Sequence, residues 1–154
     1  MNELMEAVKA NDVAKVANIL LFNFNKYSAI DDPLGEIKII FQMQNLDLDI
    51  KDTSIMFLRK MIKKDISLIP TIIDLIEPII LTKIGTIYDI DYCTIYEILE
   101  LFGDVIALYG DGLKDKNNPI YIKLFKLLTP LTFRRDNQID YLANSLRNKI
   151  IKIQ

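Results

Sequence analysis

Tyr92–Tyr109 reads YCTIYEILELFGDVIALY, and the spacing of its apolar residues sets the fold class. Ile95, Ile98, Leu99, Phe102, Val105, Ile106 and Tyr109 recur at steps of three and four, the period of a helix with one buried face. Asp91 stands before the run as an N-cap, and Gly110 follows it as a residue suited to a left-handed stop. This is the expected central helix.

The same signals repeat on both sides. Downstream, a loop of glycine, aspartate, lysine and asparagine leads to Asn118-Pro119, a cap with a first-turn proline, followed by Ile120, Leu124, Leu127, Leu128 and Leu131. Asp136 is expected to cap 137–151, with Ile139, Leu142, Ala143, Leu146 and Ile150 on one face. Upstream, Asp52 is expected to cap 53–64, where Ile55, Leu58, Met61 and Ile62 form the stripe and Arg59, Lys60, Lys63 and Lys64 the wet side. Ser67 is the expected cap of the next helix, with Pro70 in its first turn, Pro78 kinking or ending it, and Gly85 breaking the chain. Asp32-Pro33 opens a further helix through Leu34, Ile37, Ile40 and Phe41. Ile37, Ile39 and Phe41, with Leu46, Leu48 and Ile50, also alternate, so a small β-hairpin near 37–50 stands as the alternative.

At the N-terminus Leu4, Met5 and Val8 share a side, and Asp12 is placed to cap Val13, Val16, Ala17, Leu20 and Leu21. The stretch Leu4–Leu21, LMEAVKANDVAKVANILL, resembles the helix pair of an ankyrin repeat. The likeness covers those residues only, and no functional residue is carried across it. Thr71–Leu81 (TIIDLIEPIIL) and Lys123–Phe133 (KLFKLLTPLTF) align at an offset of 52 residues, Pro78 over Pro130 and Ile72 over Leu124. Such an offset fits a helical repeat, in which each unit stacks an equivalent face on its neighbour. The expected architecture is all-α: one domain over 1–154, about seven helices, as a multi-helical bundle or a short α-solenoid of the HEAT or armadillo kind.

Composition excludes more than it assigns. The 154 residues contain no histidine and one cysteine, Cys93, so histidine-based acid–base chemistry and histidine–cysteine metal sites cannot be assembled. Nineteen basic against 21 acidic residues give a net charge of −2, which argues against nucleic acid as a partner. The apolar run 66–81 carries Asp74, Glu77 and two prolines and is too short to span a membrane. A lone thiol fits a reducing, cytoplasmic setting. Isoleucine, lysine, asparagine and tyrosine are abundant, as AT-rich microbial or viral genomes favour.

Glu97, Glu100 and Asp104 fall on one side of the central helix. They read as a solvated acidic stripe, with a carboxylate-dependent metal enzyme as the alternative. The loop 110–118 lacks the ligand pattern of a calcium site and the glycine spacing of a phosphate cradle, and reads as a flexible surface loop. Cys93 has acidic neighbours in sequence and reads as a half-buried apolar side chain. Arg134 and Arg135 form a small basic patch. An apolar content of 51 % and a mean hydropathy of +0.19, with Phe22, Phe24, Tyr27, Tyr88 and Phe133 at element ends, suggest surface left over for a partner. The expected function is a non-enzymatic protein-interaction module, an adaptor or inhibitor. It needs no cofactor and binds another protein, a second copy included, through Glu97, Glu100, Asp104, Phe22, Phe24, Tyr27, Arg134 and Arg135. An immunity protein, or a viral protein that neutralises a host factor, is the alternative within that class.

Overall fold

Short polar side chains start most of the helices. In the computed structural model, which describes residues 3–22, 32–81 and 91–153, backbone N–H groups of the first turns donate to Asp12 (from Lys15, 3.2 Å), Asp32 (from Gly35, 3.0 Å), Asp91 (from Cys93, 2.8 Å) and Asn118 (from Ile120, 2.9 Å). Each bond satisfies a donor that the helix itself leaves orphaned. Eight α-helices result among the described residues: α1 (Glu3–Lys9), α2 (Val13–Ala17), α3 (Pro33–Gln42), α4 (Leu48–Lys64), α5 (Ile69–Ile80), α6 (Tyr92–Tyr109), α7 (Pro119–Leu131) and α8 (Ile139–Ile153). The all-α expectation holds, and the described part of the ankyrin-like stretch is α1, α2 and a π turn over Asn18–Phe22. Gly85 and Tyr88 lie outside the described residues.

The chain divides into two compact units, Met1–Leu58 and Arg59–Gln154. In the first, α1 packs on α2, and the β-hairpin near 37–50 does not form. Ile37 and Ile40 are fully buried while Ile39 is half exposed, a three-residue step rather than alternation. Gly35, an unpromising helix residue, is what admits the cap, because a Cβ there would overlap the Asp32 carboxylate. Helix α4 begins four residues before the expected cap. The N–H of Asp49 donates to the Asp47 carboxylate at 2.9 Å, the N–H of Ile50 to its carbonyl at 3.0 Å, and Asp52 lies buried inside the helix. Asn11, with φ of 51°, accepts the Asp47 N–H at 3.0 Å and fastens this start.

In the second unit α5 packs on α7, α6 on α8, and α7 on α8. Apart from the consecutive pair α7 and α8, odd helices meet odd and even meet even, as stacked units of a helical repeat do. The 52-residue similarity thus relates two helices that touch. Pro78 and Pro130 both sit inside helices, and Ile72, Leu124, Ile76 and Leu128 are all buried. Lys123 pairs with Asp74 and Glu77, and Lys126 with Glu77 at 3.1 Å, across the contact. The hydrogen bond that Lys123 donates to Asp74 holds its ammonium above the ordinary value.

Three further expectations are corrected here. Asp65, not Ser67, caps the turn before α5: the N–H and hydroxyl of Ser67 both donate to it, at 3.0 and 2.6 Å. Asp136 does not cap α8, because its carboxylate is taken by Arg134, and the chain enters α8 through positive φ at Asn137 (49°) and Gln138 (62°). The loop 110–118 is not a free loop. Its first half is a 3₁₀ turn, Gly110–Lys114, packed on α6 and α8 with Leu113 fully buried.

Isoleucine supplies nearly half of the buried apolar side chains. Among the described residues no helix is long and apolar enough to cross a membrane. Leu113→Ala should destabilise the protein by about 3 kcal/mol, the usual cost of truncating a buried leucine. A denaturant titration showing a change below about 0.5 kcal/mol, the range of surface substitutions, would mean that the turn does not plug the core.

Candidate functional site

Helical spacing brings Glu97, Glu100 and Asp104 onto one side of α6, where they meet a cation. The Nε of Arg59, from the last two turns of α4, donates to Asp104 at 2.7 Å, and its terminal nitrogens stand 3.9 Å from Glu97 and 3.6 Å from Glu100. Lys63 adds a contact to Asp104 at 3.8 Å. Asp104 and Glu97 keep only 19 % and 22 % side-chain exposure, and Glu100 keeps 63 %. The solvated stripe is therefore a half-buried ion cluster, and Arg59 belongs to it rather than to a wet basic face. The hydrogen bond that Arg59 donates to Asp104 raises the guanidinium further above its already high value. No group of three or more His, Cys, Asp or Glu side chains among the described residues is placed to hold a metal ion. Asp104→Asn should cost about 2 kcal/mol because a part-buried bond to a guanidinium loses its anionic acceptor. Glu100→Gln should cost at most about 0.5 kcal/mol, as exposed ion pairs do. Equal losses for the two in thermal unfolding would disprove this division of roles.

Arg134 and Arg135 separate in the structure. Arg134 is buried, with its Nε and one terminal nitrogen donating to the two Asp136 oxygens at 2.7 and 3.0 Å. Its carbonyl accepts the Asp140 N–H at 2.7 Å, which closes the α7–α8 turn. Arg135 is exposed, beside Phe133 at 68 % exposure, in a cleft also lined by Thr132, Asp136 and Asp140. Arg134 holds the Asp136 carboxyl below its usual range. The sign of the pH effect follows: this stabilisation is present above the unfolded carboxyl's ordinary value near 4 and is lost as pH falls through the depressed folded value. Asp136→Asn should cost about 2 kcal/mol at neutral pH. Its deficit in melting temperature against the parent should close between about pH 5 and pH 2, and a deficit independent of pH would refute the pairing.

Phe22 is 76 % exposed at the end of the π turn, whereas Phe24 and Tyr27 lie outside the described residues. Cys93 is exposed rather than half-buried, because the cap at Asp91 puts it on the outer side of the first turn of α6. Its side chain hydrogen-bonds Tyr92, which raises that phenol.

The sequence also carries a charge division that the overall balance conceals. Residues 119–153 hold seven basic and two acidic residues, net +5, while the rest of the chain holds nineteen acidic and twelve basic, net −7. Counting charge by segment would have exposed it. In the structure Lys123, Lys126 and Arg134 are neutralised by acidic neighbours, and Arg147 stacks on the Phe125 ring at 5.5 Å. Arg135, Lys149 and Lys152 carry no ion pair among the described residues, and the two lysines share the outer side of α8 with Tyr141, Asn144, Ser145 and Asn148. Compared with protein-family models, characterised proteins and solved structures, the chain gives no match.

Proposed function

We propose that the chain is a non-enzymatic protein-interaction module, an adaptor or an inhibitor, whose partner surface is formed by α7, α8 and the turn between them. The observation that carries this reading is the exposure of Phe133 (68 %) and Tyr141 (70 %) next to uncompensated cations. Large aromatics beside arginine and lysine are what protein interfaces use as anchors. The acidic side chains first expected to form that surface are mostly engaged by Arg59. The same engagement disfavours the carboxylate-enzyme reading, because a guanidinium already fills the place a metal ion would take. An immunity-type or host-directed inhibitor fits this surface as well as an adaptor does, since they differ in what the partner does once bound.

Phe133→Ala with Tyr141→Ala should leave stability within about 0.5 kcal/mol, as changes at exposed positions do. Capture of the partner by cross-linking in a lysate of cells that express the protein should fall roughly tenfold or more, the loss typical of removing anchors. A protein that cross-links to nothing and runs as a bare monomer by native mass spectrometry would refute the reading.

A further inference from the structure

The outer side of α8 repeats at the helical period: Tyr141, Asn144, Ser145, Asn148, Lys149 and Lys152 line one shallow groove, with no carboxylate among them. At 1.5 Å per residue this strip extends about 17 Å. Arg135 adds a third uncompensated cation before the helix begins. Of the acidic groups at that end, Asp136 is held by Arg134, and Asp140, which shares the cleft ahead of the strip with Arg135 and Phe133, forms no ion pair among the described residues. A cationic strip of this length, in a chain at net −7 outside residues 119–153, is complementary to a short run of carboxylates.

Two features choose a protein segment over a nucleic acid. The strip offers only three free cations, whereas a duplex presents one negative charge about every 1.7 Å and would meet the negative remainder of the chain as well. Arg134, whose forked guanidinium would suit a phosphate, is already closed in a bidentate pair with Asp136. Tyr141, Asn144 and Asn148 supply an apolar ring and amides that can both donate and accept, which an acidic peptide can answer along its main chain. Resting on the interaction-module reading, we propose that the outer face of α8, from Arg135 to Lys152, binds an acidic segment of a partner protein.

The test uses the full chain and fluorescence anisotropy with four probes: a labelled peptide of glutamate, aspartate and leucine, its glutamine and asparagine counterpart, an oligo(dT) of similar length, and phosphatidylcholine vesicles containing phosphatidylserine. The acidic peptide should bind, its amide counterpart should not, and binding should weaken as salt is raised. Arg135→Glu with Lys149→Glu and Lys152→Glu should weaken it at least tenfold with the melting curve kept, since these side chains are exposed. Lys114→Glu with Lys116→Glu, on the turn before α7, should leave it unchanged. Equal binding of the peptide by the parent and the triple variant, or tighter binding of the oligonucleotide or vesicles, overturns the proposal. Self-association of the parent that the triple variant abolishes assigns the face to a second copy and likewise overturns it. Partner capture from lysate that survives the triple variant removes this face but leaves the interaction module standing, whereas a parent that captures nothing removes both.

Discussion

One guanidinium set among three carboxylates ties the end of α4 to α6. Without Arg59, the side chains of Glu97, Glu100 and Asp104 would stand on one side of a helix with like charges three and four residues apart, an arrangement that opposes helix formation. With it, Asp104 accepts a 2.7 Å bond from Nε, and Glu97 and Glu100 stand within ion-pair distance of the terminal nitrogens, at 3.9 and 3.6 Å. A lysine could supply the charge, but not the planar set of donors that serves several carboxylates at once. The acidic residues of α6 therefore hold helices together, which is why the proposed partner surface is placed elsewhere in the chain.

The second ionic contact has a different character. Between α5 and α7, Lys123 and Lys126 face Asp74 and Glu77 near the solvent edge of an apolar seam. Such exposed pairs add little energy, but they favour one register over its neighbours, since a slip of one turn would separate the partners. Together with the buried turn at Leu113, they leave α7 and α8 with defined inner faces. Among the cations of α7, α8 and the turn between them, Arg135, Lys149 and Lys152 have neither an ion pair nor a ring contact among the described residues.

Helix existence was legible in the sequence because it rests on apolar spacing and caps. Asp12, Asp32, Asp91 and Asn118 cap where their side chains suggest, and α6 runs over the residues its pattern delimits. Cap identity failed where two short polar residues compete. Asp65 outbids Ser67 because a carboxylate accepts both the N–H and the hydroxyl of the serine, and Asp136 is drawn away from α8 by a buried arginine two residues before it. The burial of Leu113 was not legible because its neighbours are glycine, lysine and aspartate, and a single apolar residue in a polar loop has no period to betray it. At the candidate site, the clustering of Glu97, Glu100 and Asp104 followed from spacing alone. Their partner did not, because Arg59 is 45 residues from Asp104 in sequence. The exposed cations of 119–153 were hidden by averaging charge over the whole chain.

The prevalence of isoleucine inside the protein bears on how the proposed partner surface would behave. Within a helix a β-branched side chain is confined almost entirely to one rotamer about its first torsion, so Ile95, Ile98, Ile120, Ile139 and Ile150, all buried, have little freedom to rearrange. An interior of leucine and methionine can repack and let its surface mould itself to a visitor. Here the buried isoleucines leave the helices little room to repack, so on the proposed reading a visitor would meet a scaffold already set, and any adjustment would fall to the exposed side chains.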